Sequence, residues 1–223
     1  QTDNDRTGIL PFVFNENFNF ETYIDYALNV PMYFIKRKNK YIDVTGSNFK
    51  NFIEGSLNKA PNEIATEEDW SNHLTTLFPQ VRLKKYLEIR SMDACSWDQI
   101  CAQPAFWTGL LYDKDSLEES YSIICDWTDS DRSYLYKNVP KYGLKTKFKG
   151  GIILDIAKKF LNISLSGLKK RNNINSTGYD ERKYLEPVQE NLDKGISPAD
   201  ILIDKYKNNW GESIIPIYEE NIF

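Results

Sequence analysis

The stretch that decides the fold runs from Phe78 to Arg90 and reads FPQVRLKKYLEIR. Apolar and charged side chains alternate along it with a period of two residues. One face carries the apolar residues Leu83, Leu87 and Ile89, with Lys85 as the exception, and the other carries Arg82, Lys84, Tyr86, Glu88 and Arg90. Because successive side chains of a β-strand point to opposite faces, this alternation predicts a half-buried strand with a charged, solvated face.

The charged face of this predicted strand holds a carboxylate among several cations. Glu88 and Arg90 lie two residues apart, so we expect both side chains on one side of the strand, about 6.7 Å apart along it. Three cations and a carboxylate on one short face are costly unless an anion, or a metal ion bound to the carboxylate, lies over them. A structural ion-pair network produces the same pattern, so a functional site and a structural network both remain open at this point.

The composition is that of a folded domain with nearly balanced charge. The chain has 223 residues, of which 41% are hydrophobic and 14% aromatic, enough to bury a sizeable core. Its 28 basic and 32 acidic residues give a net charge of −4, which provides no general field for nucleic acid or an anionic membrane. No apolar run approaches the roughly 20 residues of a membrane helix. We therefore expect neither a nucleic-acid partner nor a membrane partner.

The first residues and the cysteines bear on cellular location. Residues 1–8 are polar and lack the apolar segment of a secretory signal. The three cysteines cannot all pair with one another, and with a single His and no Cys-x-x-Cys they form no metal-binding pattern. Reduced cysteines are usual in the cytosol, so we expect a cytoplasmic protein. The start at Gln1 rather than Met favours the interior of a longer polypeptide.

Strands and helices are segregated along the chain. Besides the central stretch, strands are expected at Met32–Lys36 and Lys40–Val44, joined by a turn at Lys38 and Asn39. Helices are expected over residues 21–28, 48–54, 66–77, 96–111 with a kink or break at Pro104, 115–126, 129–139, 152–171, 180–194 and 198–208. This order predicts an α+β fold, an antiparallel β-sheet covered by helices that is helix-rich after residue 95.

Several common catalytic motifs are absent from the sequence. There is no Gly-rich phosphate-binding loop and no Gly-x-Ser-x-Gly turn, and a Ser-His-Asp triad would depend on His73 alone. Hydrolase and dehydrogenase chemistry therefore has little support. Chemistry that uses cations, a carboxylate and a bound metal ion is left.

The segment from Trp70 to Lys84, WSNHLTTLFPQVRLK, which continues into YLEIR, resembles glutamate–cysteine ligases of the type shared by plants and alphaproteobacteria. Further segments resemble this family in the family's order, namely RTGILPFVF at 6–14, DYALNVPMYF at 25–34, PAFWTGLLYD at 104–113 and WGES at 210–213. The resemblance covers essentially the whole chain. Since family members are roughly twice as long, it implies that residues 1–223 are the C-terminal portion of a single catalytic domain. The N-terminal half would supply further metal and glutamate contacts.

The resemblance implies a reaction and a set of residue roles. The reaction is the ATP-dependent joining of the γ-carboxylate of L-glutamate to the amine of L-cysteine through γ-glutamyl phosphate, the first step of glutathione synthesis. The implied fold is similar to that of glutamine synthetase, with Mg²⁺ as the cofactor. In the Glu-x-Arg pattern of this superfamily the Glu is a metal ligand and the Arg meets phosphate, roles that carry over to Glu88 and Arg90. Residues expected to contact nucleotide or substrate are Arg82, Lys84, Tyr86, His73 and Arg171.

Two of these residues also have plain structural explanations, which rank first. His73 shares a helical stripe with Trp70, Leu74 and Leu77, as a partly buried, hydrogen-bonded His would. Arg171 ends a predicted helix, where the helix dipole stabilises a cation. Two other functions remain open. One is a catalytically inert fragment or interaction module of the same scaffold, and the other is a γ-glutamyl ligase that serves ergothioneine synthesis or another amine acceptor.

Overall fold

The computed structural model of the chain describes residues 5–93 and 95–220. These residues form two compact units that divide after Met92. Strands are concentrated in the first unit and helices in the second, so the predicted α+β character and the helical excess after residue 95 are confirmed. Within the described ranges, no helix has both the length and the apolar character needed to cross a bilayer.

The first unit contains, in its described part, three α-helices and six short strands. These are β1 (Thr7–Gly8), α1 (Phe20–Asn29), β2 (Phe34–Arg37), β3 (Lys40–Asp43), α2 (Phe49–Ile53), α3 (Glu67–Thr75), β4 (Phe78–Pro79), β5 (Val81–Leu83) and β6 (Leu87–Ile89). A 3₁₀ helix covers Pro11–Phe14. The helix starts follow from capping side chains, because Asn19 accepts from the Thr22 N–H and Thr66 forms a capping box with Asp69.

The strands do not form the single antiparallel sheet that the sequence predicts. Within the described residues of this unit they form two-stranded pieces, with β2–β3 and β5–β6 antiparallel and β1–β4 parallel. Gln80 links two of these pieces, because its N–H donates to the Gly8 carbonyl at 2.9 Å and its own carbonyl accepts from the Arg90 N–H at 2.8 Å. Strands of two to four residues offer few backbone groups for further neighbours.

The central stretch, residues 78–90, is a folded ribbon rather than one strand. The chain reverses at residues 84–86, where the Lys84 N–H donates to the Tyr86 carbonyl at 2.9 Å, and β5 then pairs with β6. The predicted burial is also wrong, since Arg82 is buried and Leu87 is 69% exposed. The reason is that Arg82 finds hydrogen-bond partners inside the unit, as described below.

Two apolar clusters hold the first unit together. The larger consists of Met32, Ile35, Val44, Phe49, Phe52, Leu57 and Ala60, and the smaller of Ala27, Val30 and Leu77. Trp70 packs against both clusters and so joins α3 to each of them. Leu77 is fully buried immediately before β4, so the core fixes the point at which the ribbon begins.

The second unit is mainly helical. Its elements are α4 (Trp97–Leu111), α5 (Lys114–Ile124), α6 (Asp129–Tyr142), β7 (Lys147–Phe148), β8 (Gly151–Ile152), α7 (Ile153–Arg171), α8 (Glu186–Lys194), α9 (Pro198–Asn208) and α10 (Ile215–Glu220). Pro104 does not divide the helix, because it lies inside a continuous α4, while the alternative of a kink there stays a prediction. The β7–β8 hairpin was not predicted, and the expected helix over 180–194 begins as a 3₁₀ turn at Glu181–Leu185.

Helices α4 and α7 cross at two glycines. A Cβ atom on Gly167 would lie 2.0 Å from the Gly109 carbonyl oxygen, and one on Gly109 would lie 2.3 Å from the Ser164 carbonyl oxygen. The Ser164 hydroxyl donates across this crossing to the Phe106 carbonyl at 2.8 Å. The two helix backbones are therefore in direct contact, which only residues without a side chain permit.

Candidate functional site

The ribbon brings Arg82 and Glu88 together as a cross-strand pair. They are direct partners in the register of β5 and β6. The Arg82 Nε donates to Glu88 Oε2 at 2.7 Å, and its Nη2 lies 2.6 Å from the same oxygen. The carboxylate side chain is 31% exposed, whereas that of Arg82 is only 8% exposed. The pair thus joins a buried cation to a carboxylate that reaches the surface.

Arg82 uses its remaining terminal nitrogen on the end of α3. Its Nη1 donates to the carbonyls of Thr75 and Leu77, both at 2.9 Å. These carbonyls follow the last turn of the helix and lack helical partners, so a guanidinium satisfies them well. All three guanidinium nitrogens are thus engaged within the chain. Arg82 therefore contacts groups within the chain, and its expected contact with phosphate or a substrate carboxylate stays a prediction.

Arg90 lies on the same side of the ribbon as Glu88. Its Nη1 is 3.4 Å from Glu88 Oε2, as the two-residue spacing predicts, and its guanidinium lies over the Phe78 ring at 5.4 Å from the centroid. Within the described residues, no other carboxylate or carbonyl accepts a hydrogen bond from this guanidinium. Arg90 therefore keeps donors available for an anionic group.

The electrostatics of the ribbon keep Glu88 ionised. The hydrogen bond from Arg82, supported by the positive charge of Arg90, lowers the pKa of the Glu88 carboxyl below its ordinary value. Both arginines contact Oε2, and no donor in the described part of the chain reaches Oε1. The site therefore contains an ionised carboxylate with one oxygen still free.

The free Glu88 oxygen fits one position around a magnesium ion. Mg²⁺ prefers oxygen ligands, keeps several waters, and commonly takes one or two carboxylates together with substrate phosphates. Among residues 5–93 and 95–220, no three Asp, Glu, His or Cys side chains cluster as a complete metal site would. Glu88 can therefore serve as a single protein ligand, with the remaining positions filled by water, phosphate or residues from elsewhere in the polypeptide.

Lys84 and Tyr86 lie at the turn of the ribbon. Tyr86 is 62% exposed, and Lys84 is half-buried. The turn is tied to α1, because the Leu83 N–H donates to the Tyr23 hydroxyl at 3.2 Å. Burial raises the pKa of that hydroxyl, which keeps it protonated. The turn that carries Lys84 and Tyr86 is therefore fixed to α1, a few residues before the Glu88–Arg90 pair in sequence. Both side chains are accessible to a ligand.

His73 belongs to the core rather than to the ribbon surface. It is buried, its Nε2 is 2.8 Å from the Ala27 carbonyl, and its ring stacks on Phe49 with centroids 5.0 Å apart. Burial lowers the pKa of the imidazole, which disfavours its charged form. His73 therefore packs between α1 and α3, as its structural explanation predicts, and its expected nucleotide or substrate contact stays a prediction.

Arg171 lies in the second unit and has a partner there. Its Nε donates to Glu181 at 3.0 Å. That ion pair, at the end of α7, accounts for the residue in structural terms. The same unit contains a cleft of about 670 Å³ lined by residues of α6 and of the β7–β8 hairpin, among them Lys147, Gly150 and Gly151. None of the predicted site residues lines this cleft.

Arg6 is a buried support of the segment between α3 and the ribbon that its local sequence does not reveal. Arg6 is 1% exposed and donates to the Thr76 carbonyl and hydroxyl, each at 3.1 Å, and to the Pro31 carbonyl. Its guanidinium also lies 3.7 Å from the Tyr33 ring centroid. A charged residue in a polar N-terminal segment carries no local sign of burial. Only its place in the RTGILPFVF segment marked it as part of the family pattern.

Comparison with known proteins identifies the class to which this fold and site belong. The chain is a member of the glutamate-cysteine ligase family 2 (GCS2), whose family model matches residues 1–220. Over 222 residues it is 48% identical to the chloroplastic glutamate–cysteine ligase of Arabidopsis thaliana. It is 47% identical to ligase A of Oryza sativa subsp. indica and 46% identical to the Solanum lycopersicum ligase, both also chloroplastic. The resemblance to ligases of the plant type is confirmed.

The matched relatives are much longer than this chain. The alignments cover all of the chain but only 41% of the Arabidopsis protein, 44% of the rice protein and 41% of the tomato protein. The chain thus spans less than half the length of these relatives.

The expectation of a cytoplasmic protein is wrong. The three relatives are all named as chloroplastic proteins. The expectation rested on a polar N-terminal segment and on unpaired cysteines. Neither feature distinguishes the cytosol from a plastid.

Proposed function

We propose that this chain is the part of a glutamate–cysteine ligase that contains the Glu88–Arg90 pair, and that the whole protein joins L-glutamate to L-cysteine using ATP. The family-model match over residues 1–220 carries this proposal, and relatives named for the activity support it. The product, γ-glutamylcysteine, is the first intermediate of glutathione synthesis. A plastid is the proposed location, because the relatives' names specify the chloroplast.

The proposed architecture is one catalytic domain with a sheet of the glutamine synthetase type. The first unit supports this proposal because its strands occur as two-stranded pieces, and an isolated two-stranded hairpin is only marginally stable in water. Further strands from the rest of the polypeptide would complete such a sheet. The greater length of the relatives is compatible with such a contribution.

The proposed reaction has two steps. A γ-carboxylate oxygen of glutamate attacks the γ-phosphorus of ATP, the bond from that phosphorus to the bridging oxygen breaks, and ADP leaves. The amine nitrogen of cysteine then attacks the γ-acyl carbon, the carbon–oxygen bond to phosphate breaks, and the amine releases a proton. Both steps develop negative charge on phosphate oxygens, so cations near those oxygens lower the barrier.

The residues of the ribbon suit these charges. Glu88 would offer Oε1 as a ligand to Mg²⁺, and that ion would supply neutralisation of the phosphate charge. Arg90 would donate to the transferred phosphoryl group, for which a planar guanidinium is well shaped. Lys84 and Tyr86 are proposed as outer contacts to nucleotide or substrate. We assign no contact with nucleotide or substrate to His73, Arg82 and Arg171 in this proposal, because each has hydrogen-bond partners within the chain.

The test is made in the complete polypeptide with Glu88→Gln and Arg90→Ala. ADP release is measured with glutamate and cysteine, with each amino acid alone, and with other amines. We expect release by the wild type only when glutamate and cysteine are both present. Each variant should reduce kcat by about 100-fold or more, as loss of a group that stabilises transition-state charge does. Lys85→Ala, which removes an exposed cation from the same ribbon, is the matched control and should retain activity.

Circular dichroism establishes that the variants are folded. Wild-type turnover in Glu88→Gln or Arg90→Ala would remove those residues from the site. Absence of any ADP release by the wild type would support the inert scaffold instead. Release with glutamate and an amine other than cysteine would change the acceptor while keeping the reaction class.

A further inference from the structure

Two arginine–carboxylate pairs of the first unit, Arg37–Asp69 and Arg82–Glu88, differ in how the carboxylate is held. Arg37 contacts both oxygens of Asp69, with Nη1 at 2.7 Å from Oδ1 and Nη2 at 3.0 Å from Oδ2. Arg82 instead directs Nε and Nη2 to a single oxygen of Glu88, at 2.7 and 2.6 Å. A fork that meets both oxygens of the carboxylate is a frequent arrangement for an arginine–carboxylate pair. The Arg82 arrangement leaves half of the carboxylate free.

Arg82 is itself rigidly held. Its side chain is 8% exposed, and its Nη1 bonds two carbonyls at the end of α3. Because Leu77 is fully buried beside this point, the guanidinium is anchored to the core and not only to the ribbon. The position of Glu88 Oε2 is therefore set by α3 through Arg82.

From this geometry we propose that Arg82 is a positioning residue for metal binding by Glu88. It holds Oε2 so that Oε1 alone faces a divalent cation, which makes Glu88 a one-oxygen ligand of fixed orientation. This inference rests on the proposed function in that the cation is the one that accompanies ATP, but its test does not depend on turnover.

The test measures Mn²⁺ binding to the complete polypeptide, with no nucleotide, by electron paramagnetic resonance. The variants are Arg82→Lys and Arg82→Gln. Arg82→Lys keeps the charge but cannot reach Glu88 and both carbonyls together. We expect its Mn²⁺ affinity to fall by about 10- to 100-fold, the usual effect of losing a group that orients a metal ligand. Arg82→Gln removes the charge as well as the contacts, so its Mn²⁺ affinity should fall at least as far as that of Arg82→Lys.

The matched control is Arg37→Lys, which weakens the Arg37–Asp69 pair of the same unit. Its stability to urea should fall as in Arg82→Lys, while its Mn²⁺ affinity should stay at the wild-type value. The proposal is overturned if the two lysine variants lose Mn²⁺ affinity equally, if Arg82→Lys keeps wild-type affinity, or if the wild type binds no Mn²⁺. Should Arg82→Gln fail to fold, the comparison of the two lysine variants still decides the question.

The outcomes also separate this inference from the proposed function. A protein that releases no ADP with glutamate and cysteine, yet loses Mn²⁺ affinity in Arg82→Lys, would contradict the ligase activity and support the positioning role. An active ligase whose Mn²⁺ affinity is insensitive to Arg82 would contradict the positioning role alone.

Discussion

Replacing Gly167 by Ala should destabilise the second unit, although alanine favours helices. Alanine in place of glycine inside a helix contributes about 1 kcal/mol of stability. Here the new Cβ would lie 2.0 Å from the Gly109 carbonyl oxygen and 2.9 Å from the Gly109 carbonyl carbon, which are backbone atoms that cannot rotate away. Overpacking a tight site costs typically 1–3 kcal/mol, and backbone contacts this short belong at the upper end, about 3 kcal/mol. The net loss should be about 2 kcal/mol.

The assay is urea unfolding followed by tryptophan fluorescence. Four of the five tryptophans, Trp97, Trp107, Trp127 and Trp210, belong to the second unit, so the signal reports mainly on it. Ser166→Ala, at an exposed position one residue earlier in α7, is the control and should be neutral or slightly stabilising. Gly109→Ala should resemble Gly167→Ala, and the double variant should lose less than the sum, because one separation of the helices relieves both contacts. Wild-type or higher stability in Gly167→Ala would refute the direct backbone contact.

Three further predictions concern stability. Asp69→Asn should reduce the unfolding free energy by about 3 kcal/mol in urea titrations, since it leaves Arg37 without its main buried partner. An unchanged urea midpoint would show that the Arg37–Asp69 pair contributes nothing to stability. Burial holds the pKa of His73 below its ordinary value of about 6.5, so the unfolded chain takes up the proton first as the pH falls. The unfolding free energy should therefore decrease as the pH drops below about 6.5. His73→Gln should lose this pH dependence, and a pH dependence that persists in the variant would exclude His73 as its source. Thr128→Ala removes the capping box of α6 and should lower the unfolding free energy by about 1 kcal/mol. The loss should appear as faster amide hydrogen exchange in the first turn of that helix. Exchange rates equal to those of the wild type would contradict a stabilising cap.

The fold of the ribbon could be predicted only in part from the sequence. The predicted strand and the observed hairpin place the same residues on the same face. The reason is that the cross-strand partners Arg82 and Glu88 both have even residue numbers. Even-numbered residues therefore share one face in the predicted strand and in the observed hairpin. The prediction that Glu88 and Arg90 lie together is confirmed, although the prediction of one continuous strand is wrong. The turn at residues 84–86 contains no Gly, Pro, Asn or Asp, so no turn signal marks it.

Which face of the ribbon is buried depends on contacts that are distant in the chain. Arg82 is buried because the carbonyls of Thr75 and Leu77 lie free at the end of α3, and nothing in the local pattern states that they do. Helix starts, in contrast, depend on side chains within a few residues. The helices predicted to begin at residues 66 and 198 begin directly after Thr66 and Ser197, behind capping boxes. Local signals were therefore sufficient for these helix starts and insufficient for the site.

The parallel pairing of β1 with β4 has a consequence for the order of folding. Thr7 lies opposite Phe78, and the Phe78 N–H donates to the Arg6 carbonyl at 2.7 Å, so the ribbon is anchored by residues roughly seventy positions earlier. Closing so long a loop is entropically unfavourable and slow compared with forming the local contacts of helices. During synthesis, the Glu88–Arg90 pair should therefore acquire its final arrangement late, only after the segment around Arg6 has returned to meet the newly made ribbon.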